Sequence, residues 1–582
     1  MINARSSRRR LALTVLALFA TIVLFTFKLV DIQVVRAAEL NEQSLGKRSV
    51  AVSINGARGD IIDADGVLLA SSVDRFDITA SPKVMNALAD PKNKNPIDPA
   101  AQIVELAAVT GESVEAITAS LAENPESDFA YISKLSTLAE LTAVKALEIP
   151  WVYYEVHPSR TYPNGAVAGN LIGFLGTDGP GAGLELDYDA CLASTNGSST
   201  YEKSKDGVRL PGSTVTTRDP VNGGTLRLTI DTDLQWYTQE ELEAQAKKVG
   251  ADWGTAIVVR VSDGHIMALA DYPSVDPNNV DGVPITALGS LPFSTPYEPG
   301  STFKPMTAAM LIDQGVATPT SHVIAPGRIR FANGQYIKDV FSHGDLRLTL
   351  AGVLMNSSNT GISKFSDLLS QETRYDYFTK FGIGQKTAVG FPGESAGSLP
   401  EVKNWDQLTN YTVAFGQGVS ATSAQMASVY QTLGNNGVRV PLTLVEGCTL
   451  PDGTVIDQPS TETEQVVSES AADQTVLAME TIASKGPIRG LLSIPGYRIA
   501  AKTGTAEVAE SGVYTDDRIV SVAGLIPAEN PEYAVIVTLG KPDTMKTSTA
   551  AAAPFRNIMT QVIKTFRIVP SQVPAPDVPV TW

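Results

Sequence analysis

The residues with the clearest chemical potential are Ser301 and Lys304, in the segment EPGSTFK at 298–304. Pro-Gly precedes an apolar stretch, which predicts that Ser301 lies in the first turn of a helix. Side chains at positions i and i+3 share one face of a helix, so the amine of Lys304 can reach the hydroxyl of Ser301. A serine becomes a nucleophile when a neighbouring base takes its proton, and burial or a second cation favours a neutral lysine that can do so.

The Ser-x-x-Lys motif is weak alone, because it also occurs at Ser44 and Lys47. Two further motifs follow the first pair in order, SSN at 357–359 and KTGT at 502–505. Lys-Thr-Gly occurs once, where average residue frequencies predict about a tenth of an occurrence. We therefore interpret the ordered set as one site. The pair at Ser44 has no such partners, and we interpret it as a solvated stretch next to the apolar N-terminal segment, which we expect to lie in a membrane.

Each of these residues also has a simpler structural interpretation. Ser301 could be a helix N-cap, which is a common role of serine at that position. Lys502 could be a solubilising charge at a strand end, and Asn359 could cap a break in its helix. The ordered set of three motifs favours the functional interpretation.

The elements that must position these motifs begin near Thr225. TLRLTID precedes an amphipathic helix, and AIVVRV-SDG-HIMALA is typical of a hairpin with Asp263-Gly264 in its turn. Helices are predicted at about 301–314 and 347–369. IVSVAGLIP and YAVIVTLG indicate buried strands, and APFRNIMTQVIKTF a closing helix. Strands at both ends of a helical middle predict one sheet with helices on its faces, an α/β fold.

The preceding region differs in character. Residues 48–83 alternate around Gly and Asp turns as short strands do, and residues 98–150 carry helical periodicity. We predict an α+β domain at 31–230, a second domain at 231–569, and an extended Pro-rich tail at 570–582. The chemistry of the first domain is not evident, and a spacer that holds the second domain away from a membrane is its simplest interpretation.

The N-terminus predicts the compartment. An arginine-rich segment at 1–10 precedes an uncharged apolar run, and 11–30 gives about 20 residues, or roughly 30 Å of helix, enough to span a bilayer. A cleaved signal peptide is the alternative, but the run is longer than the usual signal core. We favour an uncleaved single-pass anchor with residues 1–10 cytoplasmic and the remainder exported.

Composition narrows the remaining possibilities. The chain has 582 residues and 43% apolar residues, which predicts two or three folded domains. The net charge of −17 argues against a nucleic-acid partner. Two cysteines, Cys191 and Cys448, exclude a Cys-based zinc site; one disulfide and two buried thiols both remain open. The four histidines lack ligand spacing, so neither a metal nor a cofactor is predicted.

The ordered motifs are those of the penicillin-binding proteins and serine β-lactamases. Beyond the motifs, nearly the whole chain resembles the class B penicillin-binding proteins, monofunctional D,D-transpeptidases of peptidoglycan synthesis. The resemblance implies an elongated pedestal domain followed by a transpeptidase domain built on an antiparallel sheet. It is carried by these further segments: RGDI at 58–61 with Asp63 and Gly66, Arg160 with Tyr162-Pro163, GLE at 183–185 with Tyr188-Asp189, and FGQG at 415–418 with Thr422 and Gln425.

The resemblance implies a role for each motif residue. Ser301 would attack the D-Ala-D-Ala carbonyl of a stem peptide, with Lys304 as general base acting directly or through a water. Ser357 would relay a proton to the leaving group, and Asn359 would bind substrate and Lys304. Lys502 and Thr503 would bind the substrate carboxylate, Gly504 would let the peptide approach, and the N–H groups of Ser301 and Thr505 would form the oxyanion hole.

Rival functions differ in features that can be checked. A class A β-lactamase would need a Glu-x-x-Leu-Asn loop, and a bifunctional enzyme a Glu-Asp-x-x-Phe-x-x-His motif; neither is present. A partner glycosyltransferase is therefore implied, together with other cell-wall and division proteins, and β-lactams are expected as covalent inhibitors. A D,D-carboxypeptidase and a non-catalytic sensor or scaffold remain alternatives. Within class B we favour the septal, FtsI-like type over the side-wall type.

Overall fold

A computed structural model describes residues 4–176, 179–203, 210, 212–510 and 513–582. Residues 1–3 of the predicted cytoplasmic segment lie outside this range. Helix α1 (Ala4–Val30) runs into a π-helical turn, and the stretch Ser6–Val35 is long and apolar enough to cross a membrane. None of its apolar window is buried, as expected for a helix whose apolar surroundings are lipid. The predicted anchor at 11–30 lies inside this helix.

The next elements are strands and helices, and one of them corrects the prediction: residues 130–136 form a strand inside the stretch 98–150 that was predicted to be helical. In chain order they are α2 (Ala37–Arg48), β1 (Ser49–Ile54), β2 (Ile61–Ile62), β3 (Leu68–Ala80), α3 (Pro82–Ala89), α4 (Pro99–Thr110), α5 (Val114–Glu123), β4 (Ala130–Ser136), α6 (Leu138–Ala146), β5 (Val152–Thr161), α7 (Gly169–Ile172), β6 (Leu175–Gly176), β7 (Gly179–Pro180), α8 (Gly183–Asp187), α9 (Asp189–Leu192), β8 (Gly197–Glu202) and β9 (Val215–Arg218).

The elements that follow carry the three motifs. They are β10 (Thr225–Leu228), α10 (Thr232–Val249), β11 (Trp253–Arg260), β12 (Ile266–Tyr272), α11 (Leu291–Ser294), α12 (Lys304–Asp313), β13 (His322–Ala325), β14 (Arg328–Arg330), β15 (Tyr336–Lys338), β16 (Leu346–Thr349), α13 (Leu350–Asn356), α14 (Asn359–Ser366), α15 (Gln371–Lys380), α16 (Thr409–Thr412), α17 (Ser423–Gly434), β17 (Val438–Arg439), β18 (Val445–Thr449), β19 (Val455–Ile456), β20 (Glu464–Gln465), α18 (Glu469–Lys485), α19 (Arg489–Leu492), β21 (Ala500–Glu510), β22 (Val513–Ile526), β23 (Tyr533–Gly540) and α20 (Thr549–Phe566).

The chain divides into two compact units. The first comprises the residues up to 57 together with 73–159 and 194–222. Its core packs α4, α5 and α6 against β3 and β4, and Trp151, fully buried there, donates its indole N–H to Gln102 Oε1 at 2.7 Å. A separate antiparallel sheet, β1-β8-β9, completes this unit.

The second unit comprises 58–72, 160–193 and 223–582. Its centre is a five-stranded antiparallel sheet in the order β12-β11-β23-β22-β21. All eight residues of β23, the middle strand, are buried, because α10 and α20 cover the sheet together with α17. The predicted sheet with helices on its faces is confirmed. Among the described residues, strand β21 pairs only with β22, so it forms an edge of the sheet.

A buried ionic network lies within the second unit. The Glu185 carboxylate, fully buried, accepts hydrogen bonds at 2.6 Å from Arg58 Nε and from Arg160 Nε. Arg58 also donates to Asp189 Oδ1 at 2.5 Å. Two guanidinium groups and two carboxylates thus balance in charge, with the side chains of Arg58, Arg160 and Glu185 largely buried and Asp189 partly exposed at the edge of the network. These are the residues of the RGDI, Arg160 and GLE segments, and their chemistry here is structural.

The two cysteines form a disulfide bond. Cys191, in α9, is joined to Cys448, in β18, with 6.4 Å between the Cα atoms. Both side chains are buried, and the question that composition left open is thereby answered. The bond closes a stretch of 257 residues within the second unit.

Candidate active site

The serine motif adopts a 3-10 turn rather than the predicted first turn of an α-helix. Gly300–Phe303 form this turn, and α12 begins at Lys304. Gly300 takes a φ of +56°, which favours glycine, and its N–H donates to the carbonyl of Gly416 at 2.9 Å. In a 3-10 helix the side chains at i and i+3 eclipse. Lys304 Nζ consequently lies 2.8 Å from Ser301 Oγ.

Lys304 is fully buried, and its amine is surrounded by oxygen atoms. Nζ lies 2.7 Å from the Ser357 carbonyl, 2.8 Å from Asn359 Oδ1 and 3.2 Å from Ser357 Oγ. In the described part of the chain no carboxylate forms an ion pair with it. Burial, with the nearby ammonium of Lys502, holds the pKa of Lys304 well below its usual value, and Asp339 partly opposes this shift.

The second motif breaks the helix predicted at 347–369. Helix α13 ends at Asn356, Ser357 takes φ +56° and ψ +34°, and α14 begins at Asn359. A serine in this left-handed region is uncommon. The conformation turns the Ser357 carbonyl towards Lys304, so the break creates part of the site. Asn359 also donates from Nδ2 to the Lys338 carbonyl at 3.0 Å, which leaves its Oδ1 facing Lys304.

The third motif supplies a second buried amine. Lys502 Nζ donates to Ser357 Oγ at 3.0 Å and to the Thr503 carbonyl at 2.8 Å, and the side chain is fully buried. Burial lowers the pKa of Lys502 to about 7. Ser357 Oγ therefore lies between two amines, that of Lys304 and that of Lys502.

Thr503, Gly504 and Thr505 follow Lys502 along the edge strand β21. This strand packs against the serine turn: a Cβ atom on Gly504 would lie 3.1 Å from Thr302 Cγ2 and 2.4 Å from Ser521 Oγ. A larger residue would displace the Ser521 hydroxyl and crowd Thr302, so the close approach favours glycine. An edge strand leaves one row of backbone N–H and C=O groups free of sheet pairing, and an extended peptide can bind there.

The segment FGQG at 415–418 supports the serine turn. Gly416 accepts the Gly300 N–H, and the N–H of Gly418 donates to Glu298 Oε1 at 2.9 Å. Thr422 and Gln425 form a capping box at the start of α17. Glu298 also accepts the Tyr514 hydroxyl at 3.1 Å. Sequence reasoning gave Glu298 no role, since a single glutamate before a turn carries no signal.

Asp339 is the other residue beside the site that sequence reasoning missed. Its Oδ2 accepts the Ser358 hydroxyl at 2.6 Å, and its Oδ1 accepts the Thr360 N–H at 3.0 Å. His343 Nε2 lies 2.9 Å from the same Oδ2. Asp339 and His343 belong to no sequence motif. The fold of the loop after β15 is what brings them next to Ser358.

Comparison with known proteins identifies the family of the chain. Residues 254–560 match the penicillin-binding protein transpeptidase domain, and residues 53–180 match the penicillin-binding protein dimerisation domain. The chain belongs to the penicillin-binding proteins, and a dimerisation domain before a transpeptidase domain is the class B arrangement.

The chain is similar to curated members of this family over most of its length. It is 32% identical to penicillin-binding protein PbpB of Mycolicibacterium smegmatis, covering 96% of this chain and 91% of the relative. It is 32% identical to peptidoglycan D,D-transpeptidase FtsI of Escherichia coli K12, covering 91% and 87%.

Two solved structures share the fold. A peptidoglycan synthetase from Bifidobacterium adolescentis has a TM-score of 0.72 at 32% identity and covers 92% of this chain and 100% of that chain. Penicillin-binding protein 3 from Mycobacterium tuberculosis, complexed with aztreonam, has a TM-score of 0.70 at 26% identity and covers 91% and 100%.

Proposed function

We propose that the protein is a peptidoglycan D,D-transpeptidase that cross-links stem peptides through an acyl-enzyme on Ser301. The observation that carries the proposal is the set of oxygens around Lys304. A neutral amine has two N–H donors and one lone pair. The Ser357 carbonyl and Asn359 Oδ1 are acceptors only, so they take the two N–H groups. The lone pair then faces Ser301 Oγ and can accept its proton.

In the acylation step, Ser301 Oγ attacks the carbonyl carbon between the two D-alanines while its proton passes to Lys304. The oxygen of that carbonyl becomes an anion, and the N–H groups of Ser301 and Thr505 are the proposed donors to it. Collapse of the intermediate breaks the C–N bond. Ser357 Oγ, 3.2 Å from Lys304 Nζ and 3.0 Å from Lys502 Nζ, is the proposed relay: it gives its proton to the nitrogen of the departing D-alanine and takes up the proton that Lys304 received from Ser301.

The third motif is proposed to bind the end of the donor peptide. Lys502 and Thr503 would hold its terminal carboxylate, and the edge of β21 would pair with its backbone. An amine of a neighbouring stem peptide then attacks the acyl-enzyme, releases Ser301 and forms the cross-link. β-Lactams, which carry a similar carboxylate and a reactive carbonyl, would acylate the same oxygen.

The cellular setting is part of the same proposal. The arginines in the first turns of α1, ahead of its apolar run, support a cytoplasmic N-terminus and an exported catalytic unit. The sequence lacks the glycosyltransferase motif, so a separate polymerase would supply glycan strands. The names of the relatives FtsI and PbpB support a septal role, which we propose over a side-wall role.

Intact-protein mass spectrometry of the detergent-solubilised full chain with penicillin tests the proposal. The wild type should gain one drug mass that persists for many minutes, and Ser301→Ala should gain none. Ser44→Ala is the matched control, since Ser44 belongs to the other Ser-x-x-Lys pair, and it should label like the wild type.

The other outcomes would each favour a rival. Rapid loss of the adduct with hydrolysed drug accumulating would indicate a β-lactamase, and no adduct at all would indicate a scaffold. A pentapeptide donor mixed with an amine acceptor separates the last alternative: cross-linked product is expected, whereas hydrolysis alone would indicate a carboxypeptidase.

A further inference from the structure

Lys338, the last residue of β15, and Asp339, the first residue of the loop that follows, bind the two residues of the second motif after Ser357. Asp339, 4% exposed, accepts hydrogen bonds from Ser358 and from the backbone of Thr360, and the neighbouring Lys338 carbonyl accepts Asn359 Nδ2. This last contact sets which end of the Asn359 amide faces Lys304. The position of this strand end, and of the loop that continues from it, therefore fixes the orientation of a proposed active-site group.

His343 closes this loop with both of its ring nitrogens. Nε2 lies 2.9 Å from Asp339 Oδ2, and Nδ1 lies 2.6 Å from the Gly344 carbonyl oxygen. The side chain is only 7% exposed. A neutral imidazole has a single N–H, but both of its neighbours here are acceptors. The two contacts are satisfied together when the ring carries two protons and pairs, as a cation, with the Asp339 carboxylate.

We propose that His343 is a positioning residue of the transpeptidase site, which neutralises Asp339 and holds the loop that orients Asn359 towards Lys304. The inference rests on the function proposed above. In this proposal His343, which lies outside the three motifs, controls the charge close to the general base Lys304.

The charges around the base give the direction of the effect. Burial and the Lys502 ammonium lower the pKa of Lys304, whereas the Asp339 carboxylate raises it. Among the described residues, Asp339 is the charged group that contacts the His343 ring. The ring also packs beside Phe341, with 4.9 Å between the two ring centroids. Without a cation at His343, the carboxylate acts on Lys304 at full strength. More of the base is then protonated at a given pH.

The test is the pH profile of penicillin acylation of the full chain, measured at limiting drug concentration. His343→Gln keeps an N–H donor but cannot become a cation. Its acid limb should move towards higher pH, and acylation at a fixed pH on that limb should fall by roughly tenfold for each pH unit of that movement. In the double variant with Asp339→Asn the carboxylate is gone, and the limb should return to the wild-type position or below it.

His322→Gln is the control, because that histidine is exposed and stacks on Trp582 instead of pairing with an acid. It should leave the profile unchanged. If His343→Gln slows acylation by one factor at every pH, its role is structural only; if the two profiles coincide, His343 has no role. Either result overturns the inference, whereas labelling of Ser301→Ala would overturn the proposed function itself.

Discussion

The buried amine of Lys502 should limit acylation at alkaline pH. Its pKa is about 7, because burial disfavours the ammonium form. The ammonium is the form that can bind the carboxylate of a donor peptide or of penicillin. The neutral fraction of Lys304, which is the form that acts as a base, grows as pH rises. A decline in the acylation rate above neutrality would therefore come from Lys502. Half of Lys502 is charged at pH 7 and about 1% at pH 9, which gives a fall of about 50-fold in the second-order acylation constant.

Lys502→Arg isolates this effect. A guanidinium stays charged throughout the range, so the variant should lose the alkaline decline even if its rate at pH 7 is lower than that of the wild type. The assay is stopped-flow acylation with a fluorescent penicillin from pH 6 to 9, at drug concentrations where rate is proportional to concentration. Under these conditions the profile reports the free enzyme. A flat wild-type profile, or an equal decline in Lys502→Arg, would refute the reasoning.

Two further changes test the framework around the site. Glu185→Ala leaves the buried guanidiniums of Arg58 and Arg160 without their shared carboxylate, and it should lower the free energy of unfolding by about 3–5 kcal/mol in urea titration; a loss below about 1 kcal/mol would show that the network relaxes. Gly504→Val places side-chain atoms against Ser521 and Thr302, and should slow acylation by about 100-fold through displacement of β21 from the serine turn; unchanged acylation would contradict the close approach.

The parts of the site that were predictable are those with local geometry or a repeated order of motifs. Ser301 and Lys304 stand three residues apart, and their contact follows from any helical turn, although the turn proved to be 3-10. The place of Lys502 beside Ser357 followed from the order of the three motifs along the chain. Strands such as β11, β12 and β23 were visible because they are buried and apolar.

What escaped prediction depends on distant contacts or on unusual backbone. Ser357 takes a left-handed conformation without being glycine, so nothing in its residue type marked the break in the predicted helix. Asp339 and His343 could not be linked to the site from the sequence, because they reach it through the loop that brings them to the start of α14. The cysteine pairing depends on the packing of α9 beside β18. The domain limits at residues 230 and 569 stay predictions.

The disulfide sets an order of events in the maturation of the molecule. In the proposed orientation, Cys191 leaves the cell interior 257 residues ahead of Cys448, and its thiol waits unpaired while the intervening chain is threaded outward. Disulfides form and persist in oxidising compartments and are rare in the cytosol. In that orientation the bond can form only beyond the membrane, where two thiols must give up two electrons to an external oxidant before this link within the catalytic unit is complete.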